Sequence, residues 1–402
     1  MLNVVSVENA KKIIREQFGS FECGCEAVEL YNAFGRTAAC DILSKEDIPS
    51  FSRSTMDGYA VKAADTFGAS DSIPAILTVR GEILMGENAD FRIESGECVK
   101  ISTGGMLPEG ADSVVPVETA EEEIGGVCLC YKAVSPLENV TSRGDDVRAG
   151  QTVIKKGTVL NFTHIGVLAA MGADKVKVIK KPVVGIISTG DELTATSAQA
   201  QCGKVRDVNT FLLSAMCEKY GCASKPYGII RDRREDILSA VKKACDECDA
   251  VLISGGSSAG LRDMTASVIG EIGSVLAHGI AMKPGKPTII GKAGSKAIFG
   301  LPGHPAACCF VTEIIVREFF DICLKSDRIK RSIKCILSEN ISSNHGREEY
   351  LCVKIASGTA YPVYAKSGVI SLLCDCDGYI QIGRDCEGLK KGEEVSVFSF
   401  LE

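Results

Sequence analysis

Residues 250–263 read A-V-L-I-S-G-G-S-S-A-G-L-R-D. The unbroken run A-V-L-I-S is the pattern of a strand buried on both faces. Two glycines and two serines then turn the chain. Helical spacing is expected over residues 265–272, with Asp263 ahead of it as a cap. Strand, glycine turn and helix form the unit of an open parallel sheet, in which ligands collect beyond the carboxyl ends of the strands. Gly255 and Gly256 let backbone N–H groups approach a ligand, and Ser257 and Ser258 add hydroxyl donors. The helix start favours negative charge. Phosphate suits such a loop, although a tight turn with no ligand uses the same residues.

The same alternation continues outward. Residues 183–188 (V-V-G-I-I-S) and 227–231 read as strands. Residues 209–220 read as a helix stopped by Gly221, and Asp232 is a candidate N-cap for a helix through Cys245. Residues 288–290 and 297–299 suggest a hairpin, and 305–324 a long apolar helix. Residues 181–327 are therefore expected to form a doubly wound, mostly parallel α/β domain. Residues 46–140 hold short alternating runs between Gly and Pro turns, the signature of a small β domain. It is expected as an insertion into a helical linker domain built from residues 1–45 and 141–180. There Val7, Ala10, Ile13, Ile14 and Phe18 follow Ser6 at helical spacing, and a second helix over 163–171 ends at Gly172. Residues 328–402 return to short strands, for which a small C-terminal β-barrel is the natural closure.

Composition narrows the function. The chain of 402 residues carries a net charge of −7, which argues against general nucleic-acid binding and requires any anionic ligand to find a local basic pocket. No apolar run is long enough for a bilayer, and the N-terminus lacks a signal-peptide layout, so a cytoplasmic protein is expected. The 19 cysteines are odd in number and many lie in apolar runs, which reads as reduced core thiols. Cys245 and Cys248 are spaced C-x-x-C but have no second pair, which weakens a zinc or redox reading.

Three further loops belong to the same rim. S-T-G-D-E-L, residues 188–193, offers Ser188, Thr189, Gly190, Asp191 and Glu192. Asp191, Glu192, Asp232 and Asp263 are expected to gather there, and carboxylates beside a phosphate suit Mg²⁺. M-K-P-G-K-P, residues 282–287, holds Lys283 and Lys286 on a stiff turn that suits a small oxyanion. G-L-P-G-H-P, residues 300–305, presents Pro302 and His304, the latter either a helix cap or an anion contact.

With F-S-R-S-T-M-D-G-Y-A-V (51–61), S-T-G-G-M-L-P-E-G-A-D-S-V-V (102–115) and S-R-G-D-D-V-R-A-G (142–150), these motifs closely resemble the molybdopterin molybdenumtransferase family. This MoeA-like family includes the gephyrin E domain among its relatives. The resemblance runs in order through nearly the whole chain. It implies four domains, a homodimer, and insertion of molybdate into adenylylated molybdopterin with release of AMP in the presence of Mg²⁺. It implies that Asp57 and Thr103 face the partner subunit's cleft and that Asp146 is needed for activity. Glu192, Asp232 and Asp263 would hold the cation and shape the pterin site. Lys283, Lys286 and Arg347 would contact the oxyanion, with Ser367 beside them, a role for which Ser371 competes. An upstream adenylyltransferase and acceptor molybdoenzymes are implied partners. A scaffold paralogue without catalysis and an adenylyltransferase are the alternatives. The sequence departs from the family pattern at Gly279, where many members carry a lysine, at His304, and in G-S-S-A-G. Tungstate, nearly isosteric with molybdate, is therefore a second candidate substrate.

Overall fold

A computed structural model describes residues 4–199, 202–255, 259–326, 331–364 and 370–400. Its centre is a six-stranded sheet in the order Ala223–Ile230, Val183–Thr189, Ala250–Gly255, Lys296–Leu301, Ile289–Ala293, Ser274–His278. The first four strands are parallel. The last two join as antiparallel neighbours, which includes the expected hairpin. Successive residues of each central strand serve opposite faces. Val184, Ile186 and Leu252 enter one core with helix Asn209–Lys219 and the helical run from Pro305 to Leu324. Ile187, Val251 and Ile253 enter the other with helices Arg234–Glu247 and Ala259–Ile272. Two covered faces explain why these strands read as continuous apolar runs.

The run Pro305–Leu324 is one helix in direction but not in pitch. Pro305 opens it, a π turn occupies Thr312–Val316, and Lys325 in the left-handed region (φ 49°) ends it. Helix Val7–Phe18 packs against it, with Phe18 and Phe319 edge to face at 5.4 Å. The Ser6 hydroxyl caps that helix by accepting from Asn9 N–H at 3.2 Å. The expectation of helix throughout residues 1–45 is corrected: the helix stops at Phe18, before Gly19 and Gly24 (φ 74°), and Cys25–Glu29 is a strand. That strand pairs antiparallel with Lys175–Ile179.

Two more short pairings, Ile42–Leu43 with Thr152–Ile154 and Arg53–Ser54 with Val140–Thr141, show the chain leaving and returning alongside itself. Between them lies a six-stranded sheet ordered Ser113–Pro116, Gly58–Val61, Glu97–Ile101, Ala75–Ile83, Val127–Cys130, Ala120–Glu123. Helix Phe162–Ala170 follows, with a capping box between Asn161 and His164. Near the C-terminus, Glu348–Ala356, Thr359–Pro362, Ser332–Leu337, Glu394–Ser399 and Gly378–Ile382 pair in turn, and the last returns to the first, closing a five-stranded barrel. Met282–Lys283 adds to its edge, tying the α/β domain to the barrel. All 19 cysteines are free thiols. Among the described residues no helix is long and apolar enough to cross a membrane.

Candidate functional site

The strand Val183–Thr189 delivers Ser188 and Thr189 to the carboxyl edge of the sheet, and both are buried. The Ser188 hydroxyl donates to Asp207 Oδ1 at 2.9 Å and lies 2.9 Å from the Thr210 hydroxyl. The Thr189 hydroxyl donates to Asp232 Oδ1 at 2.5 Å. Asp232 Oδ2 accepts from Asp191 N–H at 3.2 Å, and Asp232 N–H donates back to Asp191 Oδ1 at 3.3 Å. Two strand ends are thus stitched by two aspartates. Asp232 is not the cap expected from sequence. Helix Arg234–Glu247 takes Arg233 as its N-cap with no side-chain bond, which places Asp232 one residue too early and frees its carboxylate for the rim. Asp263 also differs from expectation, because its helix starts at Ala259 and carries it on the exposed side of the second turn.

Gly190 (φ 158°) lets Glu192 fold back, since a Cβ there would lie 2.9 Å from the Glu192 carboxylate. Glu192, Ser188, Thr189, Gly255 and His304 line a pocket of about 330 Å³. Asn209, which sequence reasoning missed, forms its floor. Its amide donates to Ser254 Oγ at 2.7 Å and to the Gly303 carbonyl at 2.8 Å, while its buried Oδ1 has no partner. The signal was present in R-D-V-N-T: Asp207 accepts from Thr210 N–H three residues on, as a helix-start aspartate does.

A second pocket, of about 540 Å³, opens between the lysine turn and the barrel. Lys283, Lys286, Pro302, His304, Arg347 and Glu349 are among its walls. Gly285 (φ 118°) shapes the turn, and a Cβ there would meet Val311 Cγ2 at 2.5 Å. The Thr288 hydroxyl holds the Gly285 carbonyl at 2.6 Å. Lys283 pairs with Glu349 at 2.5 Å, Lys286 is exposed, and Arg347 Nε is buried without a partner. Gly279 sits at φ 105° and donates to the Thr288 carbonyl at 2.8 Å, a backbone that glycine suits and a lysine would strain. His278 pairs within the sheet and lines neither pocket.

His304 belongs to both pockets. It occupies the N-cap position of Pro305–Val311 but makes no cap bond. Of the two sequence readings, the side-chain cap is not made.

Other expected residues lie elsewhere. Asp57 and Thr103 meet each other on the inserted sheet. Asp57 Oδ1 accepts from Thr103 N–H at 2.7 Å and from its hydroxyl at 2.9 Å, which holds the carboxyl below the usual aspartate range. Asp146 is exposed, with its N–H bonded to the Ile48 carbonyl at 3.0 Å. None of the three lines either pocket of its own chain. Gly256, Ser257, Ser258 and Ser367 lie outside the described residues. Among the described residues no group of three or more His, Cys, Asp or Glu side chains is placed to hold a metal ion. The rim instead offers separate hard oxygens on Asp191, Glu192 and Asp232. That donor set fits Mg²⁺ held by one or two carboxylates and completed by water and substrate phosphate, not by a protein cage.

Comparison with known proteins agrees along the whole chain. Residues 5–172 match the MoeA N-terminal region (domain I and II), 185–321 a probable molybdopterin binding domain, and 334–400 the MoeA C-terminal region (domain IV). A putative molybdopterin biosynthesis protein of Methanocaldococcus jannaschii is 35% identical, covering 98% of each chain. A molybdopterin molybdenumtransferase of Staphylococcus epidermidis is 31% identical, covering 98% of this chain and 95% of its own. A crystal structure of a molybdopterin biosynthesis MoeA protein from Pyrococcus horikoshii superposes with a TM-score of 0.86 at 38% identity, over 99% of both chains.

Proposed function

The chain belongs to the MoeA family, the molybdopterin molybdenumtransferases of molybdenum-cofactor biosynthesis, and on that premise we propose that the two joined pockets are one bipartite active site. In it adenylylated molybdopterin receives molybdate, or tungstate, and releases AMP. The observation that carries this reading is His304, shared by a pocket with a carboxylate rim and a pocket walled by Lys283, Lys286 and Arg347.

The 330 Å³ pocket takes the nucleotide end of the substrate. Its phosphates lie toward Gly255 and the start of helix Ala259–Ile272, where backbone N–H groups point outward. Asn209 fixes the floor of this pocket through its amide bonds to Ser254 Oγ and the Gly303 carbonyl. Glu192 and Asp232 would hold Mg²⁺ with water and substrate phosphate completing its shell, Asp263 would reach it only through water, and the bound ion would neutralise phosphate charge. Thr189 and Asp191 fix the orientation of Asp232. The cationic pocket takes the oxyanion. A tetrahedral dianion accepts from several donors at once, and Lys283, Lys286 and Arg347 converge on one space in a chain whose overall charge is negative.

Asp57 and Thr103 form an ordered, exposed pair that serves neither pocket of their own chain, which supports a homodimer in which they complete the partner's site. Asp146 belongs to the same contribution.

The test is a single-turnover assay with adenylylated molybdopterin, Mg²⁺ and either molybdate or tungstate. AMP release should depend on the oxyanion and be lost in Asp263→Ala. Tight substrate binding with no AMP release under either oxyanion would contradict the proposal and favour a pterin-binding scaffold.

A further inference from the structure

The cationic pocket contains a carboxylate. Glu349 is buried and is the acidic residue on a wall with three cations, Lys283, Lys286 and Arg347. A carboxylate in an anion site repels its ligand unless it does something else there. Its two oxygens are both engaged: Oε1 with Lys283 Nζ at 2.5 Å, and Oε2 with the Ser343 hydroxyl at 2.8 Å. The backbone brings the pair side by side. Lys283 is in parallel register with Glu349 where Met282–Lys283 joins the barrel, and Glu348 N–H donates to the Ala281 carbonyl at 2.9 Å. Arg347 immediately precedes the strand Glu348–Ala356, two residues before Glu349, and both line the pocket.

Lys283 is half exposed and has a long flexible stem, which alone would leave its ammonium spread over many rotamers. The ion pair holds the ammonium at one place on the pocket wall and leaves two of its three N–H bonds for other partners. We propose that Glu349 is the positioning residue of the oxyanion site: it fixes the Lys283 ammonium beside Arg347 and leaves the wall two positive charges, the complement of a dianion. The inference rests on the functional reading above, which places the oxyanion at the lysine turn. Because Glu349 comes from the barrel and Lys283 from the α/β domain, the pair also makes oxyanion binding depend on how these two domains are joined.

The test compares wild type, Glu349→Gln, Glu349→Asp, Lys283→Met and the double variant Glu349→Gln/Lys283→Met, all as the full chain. Two readouts are used: single-turnover AMP release as a function of molybdate concentration, and calorimetric binding of molybdate alone. A melting temperature checks folding. Glu349→Gln should raise the KM and Kd for molybdate about tenfold, with kcat at saturation within about twofold and the KM for the pterin nucleotide unchanged. Glu349→Asp, which keeps the charge, should recover part of the loss. The double variant should be no worse than Lys283→Met, because the two residues act as one unit. Unchanged or tighter molybdate binding in Glu349→Gln overturns the proposal, as do losses that multiply in the double variant or that fall equally on both substrates. If Lys283→Met leaves molybdate binding intact, the oxyanion lies elsewhere and the functional reading fails with it. If wild type depends on Lys283 while Glu349→Gln behaves as wild type, the proposal alone fails.

Discussion

Asp232 shows how little a residue's local sequence says about its task. Before an apolar helix it looks like a cap, yet its carboxylate faces the opposite way, binding the Thr189 hydroxyl and Asp191 N–H. Replacing it with alanine removes both contacts and, on the proposed reading, a cation ligand, and kcat/KM for AMP release should fall about 10–100-fold, while the Arg234–Glu247 helix keeps its stability. A fall in helix stability instead, read by hydrogen exchange, would restore the capping role. Asp57 makes a prediction about acid. Thr103 N–H and then its hydroxyl lower the Asp57 ionisation, so the folded value lies below the unfolded value of about 3.9. The stabilisation is fully present above that value and is lost as pH falls through the folded one. The difference in melting temperature between wild type and Asp57→Asn should therefore persist at neutral pH and shrink below about pH 4. A difference that does not change with pH would place the effect elsewhere.

At the scale of elements, the helix Val7–Phe18 belongs with the α/β core: Val7, Ala10, Ile14 and Phe18 are buried there, and Phe18 meets Phe319. Phe18→Ala should cost about 3–5 kcal/mol in that core, read in urea melts. A loss below about 1 kcal/mol would mean the helix is only draped on the surface. The lysine turn makes a second prediction, because Gly279 lies at φ 105° with Val4 Cγ2 only 3.1 Å from where a Cβ would stand. Gly279→Ala should destabilise by more than about 1 kcal/mol and weaken molybdate binding with it. The strands and helices of the α/β domain were legible because burial on two faces leaves an unbroken apolar run, as in A-V-L-I-S, and Ser6 and Gly221 mark helix ends by their own chemistry. What sequence reasoning missed depends on tertiary contact. Gly24 and the alternating exposure of Cys25–Glu29 turn an expected helix into a strand only when Lys175–Ile179 lies beside it. The helix Ala259–Ile272 starts four residues ahead of Asp263, the residue that read as its cap. R-D-V-N-T marks a helix start near Asn209 but not its partners Ser254 and Gly303, and Glu349 carries no motif, because these partners and Lys283 are distant in sequence.

The whole molecule brings a carboxylate-rimmed pocket and a lysine- and arginine-walled pocket together at His304, with the barrel forming one wall of the second. The chain order of the site motifs was readable, but the meeting of the lysine turn with Arg347 and Glu349 depends on Met282–Lys283 pairing with the barrel strand Glu348–Ala356. If Asp57 completes the partner subunit's site, co-expression of Asp57→Ala and Lys283→Met subunits should yield mixed dimers with one intact site. A statistical mixture then recovers about a quarter of wild-type activity, although each variant alone is inactive. No recovery would confine the site to one chain. The most direct test of the bipartite site is a crystal structure with AMP and tungstate bound, with the metal located by its anomalous scattering. The account predicts tungsten between Lys283, Lys286 and Arg347 and the AMP phosphate near Gly255, with His304 between them. Tungsten outside the lysine turn, or AMP in a cavity not shared with His304, would contradict it.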